Sequence, residues 1–501
     1  MYLIGYDIGS SSIKAALVDA ISGETISIIQ SPEKEMDIIA KQTGWAEQEP
    51  EVWWDNLCSA TKKLLTTTTI DPELIRGVGI AYQMHGLVLV DKDQQVLRPS
   101  IIWCDSRAVA IGDQAFQDLG ESTCLHNYLN SPGNFTASKL KWVKEQEPEL
   151  YQRIDKMMLP GDYIAMKLTG EICTTPSGLS EGILWDFQKG SIASELLSYY
   201  GIKENLIPTI VPTCSEQGKV TAAAAKMTGL PIGIPISYRA GDQPNNALSL
   251  NVLEPGEIAA TGGTSGVVYG VIDKAVYDKA SRVNSFAHVN YTEDQERIGV
   301  LLCINGAGIQ YSWMNQQVAR DNISYTDMEQ MASSVPIGSE GLRILPFGNG
   351  AERMLSNQNI SAQINNLQFN RHKRAHIYRA GLEGIAFSFV YGIQLLKEMG
   401  FTIDVMRVGN DNLFQSTIFS STIANLVGCK ITIVETTGAA GAAKAAGLKT
   451  GFYKTLKEAI GSNGEVMTYH PEKKEAYEKA YQIWKSDLEY LMGKDKVDKL
   501  V

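Results

Sequence analysis

Apolar and polar positions along the chain fall into short runs that change period repeatedly. Tyr2 to Asp7 has a strand pattern, a Gly9-Ser10-Ser11-Ser12 stretch follows, and Ile13 to Val18 is a second β-rich run. Small residues between two strands predict a tight hairpin. The same theme returns near the middle, where Glu257 to Ala260 leads into Thr261-Gly262-Gly263-Thr264-Ser265-Gly266 and then the β-branched and aromatic run Val267 to Val271. Between the two, Pro50 to Leu65 and Ala137 to Glu147 carry helical periodicity, while Gly77 to Ala81 and Leu87 to Val90 read as strands. The second half alternates likewise, with a helix predicted over Ala380 to Met399 and strands at Val405 to Val408 and Lys430 to Glu435. Such alternation predicts an α/β fold.

From Glu472 to Met492 the spacing puts Ala476, Tyr477, Ala480, Tyr481, Ile483, Trp484, Leu488 and Leu491 on one helical face. Its other side mixes both charges, which predicts a packing helix rather than one lying on a membrane. A chain of 501 residues is too long for one hydrophobic core. Two domains are expected, 1–247 and 248–501, joined near Leu248 to Pro255.

Composition narrows the function classes. Hydrophobic residues make up 44% and charged residues 20%, a soluble globular balance. A net charge of -11 argues against a nucleic-acid partner, whose phosphates would be repelled. The cysteines at 58, 104, 124, 173, 214, 303 and 429 lie far apart with no C-x-x-C pair, so neither a zinc site nor a disulfide framework is expected. With no signal-peptide pattern and no apolar run of bilayer length, the expected address is the cytoplasm, with no membrane partner.

In Asp7-Ile8-Gly9-Ser10-Ser11-Ser12-Ile13-Lys14, small residues let backbone N–H groups and hydroxyls approach a polyanion, and Lys14 adds a positive charge. An acidic residue beside a phosphate loop makes sense once Mg²⁺ is added, with Asp7 holding the metal or its waters. A plain Ser/Gly hairpin turn is the other reading. The second loop, Thr261 to Gly266, has the same credentials, and two facing hairpins can grip one triphosphate. No Walker A pattern occurs, and Gly77-Val78-Gly79 lacks the third glycine of a dinucleotide fingerprint. Asp242, in Arg239-Ala240-Gly241-Asp242-Gln243, is a candidate general base for a sugar hydroxyl, or else a helix cap. Gln83-Met84-His85-Gly86 and Trp103-Cys104-Asp105-Ser106-Arg107 follow strand patterns, where α/β sheets bind ligands, although His85 and Trp103 also suit a core. His372 and His376, among Arg371, Lys373 and Arg374, read as a basic helix start rather than a metal site.

These segments, with Gly44-Trp45-Ala46-Glu47-Gln48-Glu49-Pro50, Phe135-Thr136-Ala137-Ser138-Lys139-Leu140-Lys141-Trp142, Leu345-Pro346-Phe347, Glu352-Arg353 and Leu382-Glu383-Gly384, make the chain resemble the FGGY carbohydrate kinases nearly end to end, most closely their xylulokinase branch. The resemblance implies a two-domain actin-like fold with a ribonuclease-H-type core in each domain, sugar held mainly by the first and ATP mainly by the second. It implies Asp242 as catalytic base and Asp7 as the aspartate tied to magnesium. Met84, His85 and Gln243 become sugar contacts, with Trp103 and Asp105 added by proximity. Gly9, Ser10, Ser11, Ser12, Lys14, Gly263, Thr264 and Ser265 fall on the nucleotide, as do Gly409, Asn410 and Gly438. The implied reaction is ATP-dependent phosphorylation of a ketopentose such as D-xylulose, and a homodimer is a further expectation of the family. Related kinases of ribulose, gluconate or a polyol, and a non-catalytic actin-like sensor, are the rivals. One departure stands out. Where the family has a Gly-Gly-Gly-Ala turn beneath the adenosine, this chain reads Val408-Gly409-Asn410-Asp411-Asn412, and asparagine's tolerance of left-handed backbone would preserve a turn there.

Overall fold

The computed structural model describes residues 1–319, 323–410, 412–461, 464–472 and 475–498; Asp411 of the departing turn and Lys473 and Lys474 of the predicted C-terminal helix lie outside the described residues. Strands β1 (Tyr2–Ile8), β2 (Ile13–Asp19) and β3 (Thr25–Ser31) form an antiparallel meander. Strands β4 (Ile75–Tyr82) and β5 (Ile236–Gly241) add in parallel on the other side of β1, giving the order β5-β4-β1-β2-β3. Buried on both faces, β1 is apolar almost throughout, whereas the edge strand β3 alternates and leaves Ile26 and Ile28 exposed.

The second sheet repeats this arrangement. Its strands are β6 (Glu257–Gly262), β7 (Gly266–Ile272), β8 (Asn284–Ala287), β9 (Ile298–Ile304), β10 (Val405–Gly409), β11 (Lys430–Val434) and β12 (Glu465–Tyr469). Their order is β8-β9-β7-β6-β10-β11-β12. The inner run β9-β7-β6-β10-β11 has the same antiparallel and parallel sense as the five strands of the first sheet, with β8 and β12 as antiparallel edges. This duplication is the actin-like architecture that the resemblance implies. Both predicted hairpins form, with Ile8 paired to Ile13 and Gly262 to Gly266, so the second loop shortens to Gly263-Thr264-Ser265.

Helix α1 (Pro50–Thr68) covers β2 and β3 and buries Trp53, Leu57 and Leu64; its proline sits in the first turn, where a missing N–H costs nothing. Other helices are α2 (Thr136–Gln146), α3 (Pro176–Glu181), α4 (Asp242–Ser249), α5 (Arg374–Glu398), α6 (Gly438–Ala446) and α7 (Glu475–Asp498). Helix α5 starts at Arg374, earlier than the expected Ala380, and the added stretch buries Tyr378 and Arg379, the latter bonded to Glu383 at 2.6 Å. Along α7, Tyr477, Tyr481, Trp484 and Leu488 are buried, but Ile483, expected on that face, is 44% exposed.

Two helices cross between the sheets. Helix α6, from the second half of the chain, lies on β1 and β4 of the first sheet, while α4, from the first half, touches β6 and β7 of the second. The first contact depends on glycine. A Cβ on Gly5 would collide with the carbonyl oxygen of Ala439, and one on Gly79 with that of Ala442. Gly441 in turn admits Ser249 of α4. We expect Gly79→Ala to cost about 1–3 kcal/mol, the usual range for overpacking a tight core, read as a lower midpoint in chemical denaturation; an unchanged midpoint would show that α6 is free to move off the sheet.

Candidate active site

Because β5, β4 and β1 run parallel, their C-terminal ends meet at one edge of the sheet, the usual position of ligands in α/β folds. Asp242 opens α4 directly after β5, Gln83, Met84 and His85 follow β4, and Asp7 lies near the end of β1. The second half supplies Ser265 and Val267 from the β6–β7 hairpin, Asn284 from β8, Leu301 and Cys303 from β9, and Arg353. The register explains this set, since Val267 faces Cys303 and Asn284 faces Leu301 across the ladder. With Gly9, Ser10, Ser11, Ser12, Lys14, Trp103 and Gln243, these residues line a cavity of about 600 Å³. Strand β8 is tied to the first half by hydrogen bonds from Asn130 Nδ2 to the Ser285 carbonyl (2.7 Å) and from Ser177 Oγ to the Ala287 carbonyl (2.9 Å), and the Ala287 N–H donates to Ser180 Oγ at 2.9 Å.

Two carboxyl groups dominate the electrostatics. Burial, reinforced by the nearby negative charge of Asp7, pushes the Asp242 carboxyl up to about 7, against a bond from Gln243 that favours ionisation. Asp7 is raised as well, again by burial, and is opposed by Lys14. A carboxyl balanced near neutrality suits a general base. Among the described residues no group of three or more metal-capable side chains occurs, and no protein donor bonds the Asp7 carboxylate. A single open carboxylate fits a magnesium ion that keeps its waters and rides on substrate phosphates, rather than one caged by protein. Pro244, in the first turn of α4, sits where its missing N–H leaves nothing unsatisfied.

The other wall is held from behind. His85 has a left-handed backbone, φ 61°, and its Nδ1 donates to the Glu181 carbonyl at 2.9 Å, which leaves Nε2 as an acceptor. Burial drives its pKa down to about 3, so the ring is neutral. Phe135 meets that ring edge-on at 4.8 Å. Lys139, fully buried and pushed down to about 7 by that burial, donates to the carbonyls of His85 (2.8 Å) and Ile102 (3.0 Å) and so joins the two loops that frame the pocket. The Glu181 carboxylate accepts the His85 N–H at 3.2 Å, and its own pKa is raised well above the usual range, chiefly by burial. Met84 and Gln243 line the cavity, and Trp103 lies over it with Nε1 donating to Ser10 Oγ at 3.3 Å.

Asp105, expected in the sugar pocket by proximity to Trp103, is elsewhere. It is fully buried; its carboxylate takes the Arg107 guanidinium and the Ala46 N–H (both 2.6 Å), and it does not line the cavity. Arg107 also stacks 3.8 Å over the Trp45 ring and bonds Glu47, so sequence adjacency concealed a structural ion cluster.

A second cavity, about 570 Å³, lies beyond the β6–β7 hairpin. Gly263 and Thr264 border it while Ser265 borders the first, so this loop separates the two spaces. Tyr311 and Tyr325 stack at 5.2 Å on its wall, and Leu413, Gln415 and Ser416 close another side. Gly409, Asn410 and Gly438 line neither cavity. Asn410 is not left-handed; its amide instead donates to Glu435 at 2.7 Å. Gly438 packs on Asp7, where a Cβ would stand 2.9 Å from Oδ2, and its carbonyl accepts from Asn245 at 2.9 Å. Sequence reasoning did not assign Gln83, Asn134, Phe135 or Arg353 to the site, although all but Asn134 stand inside recognisable segments; Asn284, Leu301 and Cys303 carry no local signal.

Residues 2–249 match the N-terminal domain of the FGGY family of carbohydrate kinases and residues 258–449 its C-terminal domain. A xylulose kinase of Bacillus subtilis (strain 168) is 28% identical over 464 residues, covering 91% of this chain and 90% of its own. An L-xylulose/3-keto-L-gulonate kinase of Escherichia coli (strain K12) is 29% identical over 501 residues, covering 98% and 97%. The crystal structure of xylulose kinase from Rhodospirillum rubrum superposes with a TM-score of 0.87 at 24% identity, covering 98% of this chain and 99% of that one.

A carboxyl whose folded pKa exceeds its unfolded value stabilises the fold at low pH, and that contribution is lost as pH rises through the folded value. For Asp242 the interval runs from its ordinary 3.8 up to about 7. Thermal melts should therefore show Asp242→Asn gaining stability over the parent progressively from pH 4 to pH 7.5, and a gain independent of pH would contradict the raised carboxyl.

Proposed function

This chain belongs to the FGGY family of carbohydrate kinases, and on that premise we propose that it transfers the γ-phosphoryl group of ATP to a ketopentose, xylulose before others, with Asp242 as the base. The observation that carries the reading is the Asp242 carboxyl, raised to about 7 in a cavity shared by both halves of the chain. Sugar contacts Met84, His85, Gln243 and Trp103; the neutral His85 ring offers Nε2 to a hydroxyl proton without competing for the base. Asp242 takes the proton of the attacking hydroxyl, while Lys14 and the N–H groups of the two hairpin loops face the phosphates. Magnesium, when bound at Asp7, supplies charge neutralisation on the phosphate oxygens. The second cavity, with its stacked tyrosines, fits the adenosine end. Lobe closure would exclude water as a competing acceptor.

A second reading comes from Arg353. Its Nε donates to the Ser281 carbonyl at 2.8 Å and its Nη1 to Asn284 Oδ1 at 2.7 Å, leaving Nη2 for a ligand on the cavity wall. A guanidinium so placed suits a substrate carboxylate, and one relative is named for a keto sugar acid as well as for L-xylulose. A homodimer and a cytoplasmic address go with the family reading; none of the seven cysteines is paired, and no helix among the described residues is long and apolar enough to cross a membrane.

The test is ADP release coupled to a panel of pentuloses, hexuloses and sugar acids. Highest kcat/KM with xylulose supports the first reading, a preferred sugar acid supports the second, and absence of sugar-dependent release sinks both. In the same assay, Asp242→Asn should lower kcat by about 10² to 10⁴, the usual worth of a positioned base, and kcat/KM of the parent should fall as pH drops below 7, because protonated Asp242 cannot accept a proton.

A further inference from the structure

Gln83 is 2% exposed, yet neither Nε2 nor Oε1 of its amide has a hydrogen-bond partner among the described residues, and the side chain lines the active-site cavity. Its backbone is fixed. The Gln83 N–H donates to the Ile8 carbonyl at 2.8 Å, one step beyond the last β1–β4 pair, Ile8 with Tyr82. Strand β4 lies between β1, which bears Asp7, and β5, which delivers Asp242, so Gln83 stands between the strand ends that carry those two carboxylates, and all three residues line the same cavity. A buried primary amide with both functions unmet is costly, and native folds retain such a group where a ligand or ordered water completes it.

We propose that Gln83 is a catalytic residue of phosphoryl transfer, its Nε2 donating to an oxygen of the transferring phosphoryl group and its Oε1 accepting from a hydroxyl of the sugar. The proposal rests on the kinase reading with Asp242 as base. In that step the sugar oxygen bonds to the γ-phosphorus as the bond from phosphorus to the bridging oxygen of ADP breaks. The proton passes to Asp242, and the electron pair of the broken bond stays on ADP. Charge on the phosphoryl oxygens is redistributed as the group moves, and a preset donor there acts on the transition state more than on either ground state.

Because the amide bonds no protein group, its removal should not weaken the fold, and this separates the proposal from a structural role. Gln83→Met, of similar volume, should melt at or above the parent temperature while kcat falls about 10²-fold or more, the usual loss when one preset donor is removed. Gln83→Glu keeps an acceptor but loses the donor and adds charge beside Asp242. It should show a similar kcat loss, hold sugar KM closer to the parent than the methionine variant does, and move the acid limb of kcat/KM to higher pH. A kcat of Gln83→Met equal to the parent overturns the proposal. So does a lower melting temperature, which would make the amide a structural bond, or a raised sugar KM at unchanged kcat, which would confine it to ground-state recognition. An unmoved acid limb in Gln83→Glu overturns its place beside the base. If the parent itself releases no ADP with any sugar, the kinase reading fails; an active parent with an equally active Gln83→Met removes the role of Gln83 alone.

Discussion

Helix α6 rests on a glycine floor, and the distance of that contact governs the site. With no side chain at Gly5 or Gly79, the backbone of Ala439 and Ala442 settles directly onto β1 and β4. At that depth the helix brings Gly438 against Asp7, and the Gly438 carbonyl becomes the acceptor for Asn245, one helical turn past Asp242. A methyl group at either strand position would lift the helix by a large fraction of a van der Waals diameter. The position of Asp7 relative to Asp242 is thus set partly by residues that carry no chemistry.

Two carboxyl groups, those of Asp242 and Asp7, line the cavity at these strand ends, and burial acts on both in the same direction. Burial holds protons on both more firmly than water would; the charge of Asp7 adds to this at Asp242, and Lys14 opposes it at Asp7. Lys14 faces Asp7 along the hairpin, Arg353 enters from the opposite half, and Lys139 is committed to two backbone carbonyls beneath His85. That last commitment fixes a loop in which His85 has an unfavourable backbone conformation for a residue with a side chain. The Glu181 carbonyl then selects the tautomer of the ring. Preorganisation of the His85 loop is therefore a matter of buried polar anchoring, whereas the spacing of Asp7 and Asp242 depends on close backbone packing.

What could be read in the chain was local. The two hairpins, with small residues between β-rich runs, come from neighbouring residues, and both appeared where alternation and glycine placed them. Asp7, Met84, His85, Asp242 and Gln243 all stand at strand ends, so the sequence pattern and the segments carrying the resemblance located them, and the fold brings them to one cavity. Errors arose where partners are distant in sequence. Arg107 stands two residues from Asp105, but nothing local announces that the pair closes on the remote segment Trp45, Ala46 and Glu47, so a short motif containing an acid reads as a pocket. Asn284, Leu301 and Cys303 reach the cavity through the register of β8 and β9, which no local pattern encodes. Asn410 is not left-handed, and its amide is bonded to Glu435 beside the neighbouring strand, while Asp411 of the same turn lies outside the described residues.

The crossing of α4 and α6 bears on how such a protein can be recombined. Sequence order assigns residues 438–446 to the second half, but their packing partners are strands of the first. A chimera built by exchanging halves between two relatives at the connection between the sheets would pair one parent's glycine floor with the other parent's alanine helix. The inheritable unit is consequently the first sheet together with this remote helix, and a splice that respects it requires two crossovers rather than one.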